Sequence, residues 1–201
     1  MKKQGFGRVA LVDLDIVNPY FRSGEKRQLL QSEGIEVFMP TFALSTVDIP
    51  ALPAEIQGVF EQNFDRVILD VGGDDTGATA LGRYAPYVQA VRQDMEVLYV
   101  VNPFRPLSGT EEDVVEMCRL ISQKARVSPD ALVNNGNLQE LTTVSEVLEA
   151  QKLLEGVSRR LGIAVRMVTG REALRQELPT ELAQRFFSFE PVMKPDWLVD
   201  S

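Results

Sequence analysis

The 201 residues contain no histidine and a single cysteine. With no imidazole, histidine-based catalytic triads, histidine metal sites and histidine proton shuttles are excluded. One thiol forms no internal disulfide. Cys118 lies among Val114, Val115, Met117 and Ile121 on a helical pattern. It reads as a core residue of a protein kept in the reducing cytoplasm. Basic residues are also short: 21 Lys and Arg against 29 Asp and Glu give a net charge of −8. That balance argues against a nucleic-acid or anionic-membrane surface. No run approaches the roughly 18 uninterrupted apolar residues of a membrane span. The N-terminus lacks an apolar h-region, so no signal peptide is expected. Low-complexity stretches, internal repeats and linkers between two domains are missing too. A single domain over residues 1–201 is expected, with an irregular tail from about residue 186.

What is present is an alternation of strand and helix signals. Apolar runs at Val9–Asp15, Ile35–Met39, Arg66–Val71, Glu96–Val101, Ala131–Asn134 and Ala164–Val168 read as strands. Between them lie helical patterns over Ser23–Glu33, Ala54–Glu61, the stretch following GGDDTG to Val91, and Glu172–Gln184. Ser108-Gly-Thr-Glu111 and Thr143-Val-Ser-Glu146 have the spacing of a capping box before two longer amphipathic helices. The second should close at Gly162. Continuous apolar strands alternating with amphipathic helices predict an α/β fold, a parallel sheet with helices on both faces. The Pro-rich stretch Pro40–Pro53 reads as a long functional loop.

In such sheets ligands bind at the C-terminal ends of the strands. The residues found there are strongly polar. Asp13 and Asp15 follow the first run, and Asp70-Val-Gly-Gly-Asp-Asp75 the third. Asn102-Pro-Phe-Arg105, Asn134-Asn135-Gly136-Asn137 and Thr169-Gly170 follow the last three. Carboxylates at adjacent strand ends suit hydrated magnesium, which keeps its waters and takes one or two carboxylates plus substrate phosphates. An Asp that closes an apolar strand before glycines, as in Asp70-Val-Gly-Gly, has the Walker B pattern. A carboxylate such as Asp15 is suited to orienting an attacking water.

VALVDLDIVNPYF, RVILDVGGDD, EVLYVVNPFRP and ALVNNGNL, in this order, resemble the MinD/ParA-like (CobQ/CobB/MinD/ParA) nucleotide-binding proteins, deviant-Walker members of the P-loop ATPases. The resemblance runs to about Gly170. It implies an ATP-binding protein or ATPase of P-loop NTPase-like fold that uses ATP and Mg²⁺. By resemblance, Asp15 positions the hydrolytic water and Asp13 supports the metal site. Asp70 matches the Walker B metal aspartate, Gly72 and Gly73 the switch glycines, and Asn134 the asparagine that reads the adenine edge. The segment Thr169–Arg171 falls where relatives pack a loop against the base. Asp74, Asp75, Arg22 and Arg105 carry no family role and read as loop or surface residues. The resemblance also implies a nucleotide partner, with a homodimer or a protein partner as the family's mode of action.

One departure is large. The family opens with a strand, a glycine-rich phosphate loop ending in Gly-Lys-Ser or Gly-Lys-Thr, and a helix. No such motif occurs here. Lys2, Lys3 and Gln4 before Gly5 read as the last turn of that helix. About 30 residues, the size of a strand–loop–helix unit, are therefore expected to be absent. Removing an interior strand should leave unpaired backbone and exposed apolar faces on its former neighbours. ATP binding by this chain is expected to be weak. Two rival readings stand beside this one. A pseudo-ATPase would retain partner binding alone. A haloacid-dehalogenase-type phosphatase would use Asp13-Leu-Asp15 and Gly73-Asp-Asp75, although Ile16-Val17 replaces its usual Gly-Thr. A dinucleotide-binding Rossmann enzyme is disfavoured, because no GxGxxG opens a first βα unit.

Overall fold

The computed structural model describes residues 5–15, 27–39 and 54–190. Met1–Gln4, Arg22, the whole Pro40–Pro53 loop and Trp197 lie outside the described residues. The rest falls into two compact units, one built on residues up to 94 and the other mostly on those from 95 onward. Each carries its own parallel sheet with flanking helices, which establishes the α/β class.

The first unit runs β1 (Val9–Asp13), α1 (Arg27–Ser32), β2 (Ile35–Phe38), α2 (Ala54–Val59), β3 (Arg66–Asp70), α3 (Asp75–Gly82) and α4 (Ala85–Ala90). The strand order is β2-β1-β3, all parallel. Every residue of β1 is buried, as expected for a central strand whose apolar residues fill both faces. Its entry is fixed by Asp65, whose carboxylate accepts from the backbone N–H groups of Gly7 (2.8 Å) and Arg8 (2.9 Å). Gly34 follows α1 with a φ of +75°, the left-handed conformation that ends a helix. Pro86 lies in the first turn of α4, where a missing N–H costs nothing. The helical stretch expected up to Val91, with an interruption at Pro86, is accordingly two helices.

The second unit runs β4 (Leu98–Val101), α5 (Glu111–Ala125), β5 (Ala131–Asn134), α6 (Val144–Leu161), β6 (Val165–Gly170), α7 (Glu172–Arg175), α8 (Thr180–Gln184) and β7 (Phe186–Ser188). Its strands lie in the order β4-β5-β6-β7, again parallel. Val114 and Val115 of α5 and Leu154 and Val157 of α6 pack with Val101, Leu132 and Val165 of the sheet. A second cluster joins Val147, Val168, Leu174, Leu178, Leu182 and Phe186.

Several sequence expectations change here. The capping box of α5 is made by Thr110 and Asp113, which exchange hydrogen bonds with each other's backbone N–H groups. Ser108 instead donates its hydroxyl to the carbonyls of Asn102 (2.8 Å) and Arg105 (3.0 Å). The box at Thr143 and Glu146 forms as expected, and Gly162 closes α6 with φ +70°. The helix expected over Glu172–Gln184 is split into α7 and α8 before Thr180, because Pro179 supplies no N–H to continue it. The final strand is β7, inside the stretch expected to be irregular. Its Phe186 is a core residue, whereas Phe187 is exposed.

Each sheet has two edge strands among the described residues, β2 and β3 in the first and β4 and β7 in the second. Exposed apolar side chains lie on three of these strands: Val67 and Ile68 on β3, Leu98 and Val100 on β4, and Phe187 on β7.

No helix among the described residues is long and apolar enough to cross a membrane.

Candidate functional site

The acidic residues of the first unit meet where β1 and β3 end. Asp13 and Asp70 are register partners in the parallel ladder. Paired residues project to the same face of a sheet, from strands about 4.8 Å apart. The strand ends are tied together by the Leu14 N–H, which donates to the Asp70 carbonyl (2.7 Å). Asp13 is 2% exposed, and its Oδ1 accepts from the Asp15 N–H at 3.0 Å. Asp13 thereby folds the chain back on itself in a local side-chain turn. Asp15, more exposed, emerges from that turn.

The glycine loop fits beneath Asp15. A methyl group built on Gly72 would stand 3.1 Å from the Asp15 carboxylate oxygen and 3.4 Å from the Cα of Gly77. One built on Gly77 would lie 2.5 Å from the Gly72 carbonyl oxygen. Backbone therefore packs against backbone here, and only glycine at position 77 permits it. Gly73 is exposed, with open space where its side chain would be. Asp74 caps α3, its carboxylate accepting from the Gly77 N–H at 2.8 Å. Gly77 was not singled out as a functional position. The second glycine of Gly72-Gly-Asp-Asp-Thr-Gly77 was the available signal.

Among the described residues no group of three or more His, Cys, Asp or Glu side chains is placed to hold a metal ion. The donor set at the strand ends is the neighbouring pair Asp13 and Asp70, all oxygen. That chemistry suits a hydrated Mg²⁺, which needs only one or two carboxylates, and does not suit a thiolate- or imidazole-preferring metal.

In the second unit, Asn134 ends β5 and is wholly buried. Its Nδ2 donates to the Val147 carbonyl (3.2 Å) and to Gln151 Oε1 (3.1 Å), and its Oδ1 accepts from the Gly136 N–H (2.9 Å). The amide thus pins the turn after β5 onto α6. Gly136 completes the contact, since a methyl there would fall 2.3 Å from the Ala150 Cβ. Asn135, less buried, accepts from the Thr169 hydroxyl at 2.7 Å. Asn102 at the end of β4 donates to the Asn137 carbonyl (3.0 Å) and accepts from the Phe104 N–H (3.1 Å). One polar network therefore crosses the ends of β4, β5 and β6. Arg171 donates to the Glu140 carbonyl at 2.9 Å, and Arg105 is exposed. The buried partner that sequence reasoning did not identify is Gln151. Its signal was a polar residue on the apolar stripe of α6, between Val147 and Leu154.

Asp13, Asp15, Asp70, Gly72 and Gly73 thus belong to the first unit, and Asn134 to the second.

No protein-family model and no curated protein matches this chain. Among solved structures, two crystal structures of FtsY from Mycoplasma mycoides are similar to it, at 19% and 18% identity and a TM-score of 0.47. They match over 83% of this chain, which spans about half of theirs (52% and 51%).

Proposed function

We propose that this chain is a nucleotide-binding-type domain of the MinD/ParA-like P-loop class, carrying the acidic half of an ATP and Mg²⁺ site without the phosphate loop. The observation that supports this reading best is the arrangement of Asp13, Asp70, Asp15 and Gly72. Two carboxylates stand in register at neighbouring strand ends, and a third lies over a glycine that lets backbone approach closely. Mg²⁺, when bound with a nucleotide, supplies Lewis-acid stabilisation of phosphate charge. In this reading Asp70 holds the metal's waters, with Asp13 as its register partner. In this reading Asp15 orients a water toward a terminal phosphate. Asp13 also keeps the Asp15 backbone in its turn.

With no phosphate loop in the sequence, affinity rests on the carboxylates and glycines alone. Micromolar ATP binding is not expected, nor is turnover. The Asp-x-Asp phosphatase reading asks Asp13 to be an accessible nucleophile. Its near-complete burial and its hydrogen bond to the Asp15 N–H disfavour that role.

The test is a titration of Mg²⁺-ATP followed by amide NMR. Shifts confined to Asp13–Asp15 and Asp70–Gly73, appearing only at millimolar nucleotide and abolished in Asp70→Ala, are expected. Absence of any response at those amides would overturn the nucleotide reading. Micromolar Mg²⁺-dependent binding would overturn the statement that the phosphate-binding half is lacking.

A further inference from the structure

We propose that Asn135 is a self-modification site, whose side-chain amide is converted to aspartate or isoaspartate by the Gly136 nitrogen once the turn after β5 opens. Asn135-Gly136 is the chain's one Asn-Gly step. Glycine makes such a step reactive, because no side chain shields its nitrogen and its backbone turns freely. The reaction needs only the chain and water. The Gly136 nitrogen loses its proton to solvent and attacks the Asn135 Cγ. The Cγ–Nδ2 bond breaks, and Nδ2 takes up a proton and leaves as ammonia. The product is a cyclic succinimide. Water then adds to either ring carbonyl and breaks that carbon's bond to the nitrogen. One opening gives aspartate. The other gives isoaspartate, in which the main chain runs through the former side chain.

The folded turn latches the groups that react. The Gly136 N–H donates to Asn134 Oδ1 at 2.9 Å, and both residues are buried away from the water that would take the proton. The carbonyl of the same peptide group, on Asn135, accepts from Asn137 Nδ2 at 2.8 Å. Asn135 Oδ1 accepts from the Thr169 hydroxyl at 2.7 Å, which holds the side chain across to β6. The Asn135 N–H donates to the Val101 carbonyl at 2.9 Å. Asn135 is thus tied to β4 on one side and to β6 on the other. Attack needs the nitrogen turned to face Cγ at close range. That rotation carries the whole peptide group and breaks the hydrogen bonds at both its ends. The seat is also tight, since a methyl on Gly136 would fall 2.3 Å from the Ala150 Cβ. The reaction therefore waits on local opening of the turn, which costs less than global unfolding.

The two products differ in what the turn can accept. Aspartate at position 135 keeps the main chain as it was, and its carboxylate still accepts from the Thr169 hydroxyl. Isoaspartate adds a carbon to the main chain just before Gly136. That extra length moves Gly136 out of its seat against Ala150 and takes its N–H from Asn134 Oδ1. The Asn134 amide then loses a partner in the interior, which is costly. An isoaspartyl chain cannot re-form the same turn, so the modification records each opening and leaves the ends of β4, β5 and β6 less firmly joined.

The test is incubation of the full chain in water carrying heavy oxygen, native and in guanidinium, followed by digestion in ordinary water. Fragmentation of the tryptic peptide Val127–Lys152 then locates the label and separates aspartate from isoaspartate. Label should accumulate at position 135 in the unfolded chain, and at least about tenfold more slowly in the native one. Thr169→Val removes one latch and should raise the native rate about two- to tenfold, with the unfolded rate unchanged. Asn137→Ala, which frees the Asn135 carbonyl, should do the same and keeps the test open if Thr169→Val does not fold. Amide exchange at Gly136 should be faster in the isoaspartyl form than in the parent, and unchanged in Asn135→Asp. Equal native and unfolded rates would overturn the latch, as would a native rate that neither Thr169→Val nor Asn137→Ala increases. No label at position 135 in the unfolded chain would overturn the site itself.

Discussion

Gly77 lies so close to Gly72 that a methyl group on the first would sit 2.5 Å from the carbonyl oxygen of the second. The first turn of α3 can rest on the loop after β3 only while position 77 lacks a side chain. That contact holds the glycine loop beneath Asp15. Gly77→Ala should therefore destabilise the fold by about 1–3 kcal/mol, the usual cost of overpacking. Gly73→Ala, entering open space, should stay within about 0.5 kcal/mol of the parent. Thermal unfolding of the two variants side by side checks the contrast.

Asn134 is a structural anchor whatever else it does. Asn134→Ala would leave the Gly136 N–H, the Val147 carbonyl and Gln151 Oε1 short of a partner in the interior. Each buried polar group left unsatisfied costs about 1–3 kcal/mol. A loss of about 2–4 kcal/mol in urea unfolding is expected, with faster amide exchange at residues 134–137.

The N-terminus of α6 depends on pH through Glu146. Hydrogen bonds from the Thr143 hydroxyl, then from the Thr143 backbone N–H, hold its carboxyl below the ordinary value of 4.5. A folded-state pKa below the unfolded one stabilises the fold fully above about that ordinary value. The contribution disappears as pH falls through the folded-state value. Thr143→Ala should cost about 1 kcal/mol at neutral pH. The difference from the parent should shrink in acid, as read from unfolding curves at the two pH values.

Cys118 should be unreactive in the folded chain. It is 2% exposed, and burial pushes its thiol above the ordinary value of 9.0, so less thiolate exists at any given pH. Alkylation at pH 8 should be slow in native protein and rapid in denaturant, followed by intact mass.

The strand-helix alternation was legible from the sequence because apolar periodicity is a local property. Val9–Asp13 and Ala131–Asn134 are buried along their whole length, as their unbroken apolar runs required. The cap at Thr143 was legible because a capping box involves only four consecutive residues. The cap at Thr110 was misplaced by two residues, because Ser108 had the same local chemistry and a better offer from the Asn102 and Arg105 carbonyls. β7 was missed for a related reason. Three residues carry too little pattern, and Phe186–Ser188 becomes a strand only by pairing with β6.

The sequence by itself determined the α/β class and the polar character of the strand ends, since both follow from residue order along the chain. Only the tertiary structure decided what each polar residue is engaged with. It set Asp13 in register with Asp70, buried the Asn134 amide against α6, and left Val67 and Ile68 on an open edge. Register, burial and edge exposure depend on which strands become neighbours, and the β1 and β3 partners, 57 positions apart in the chain, carry no local signal of that choice.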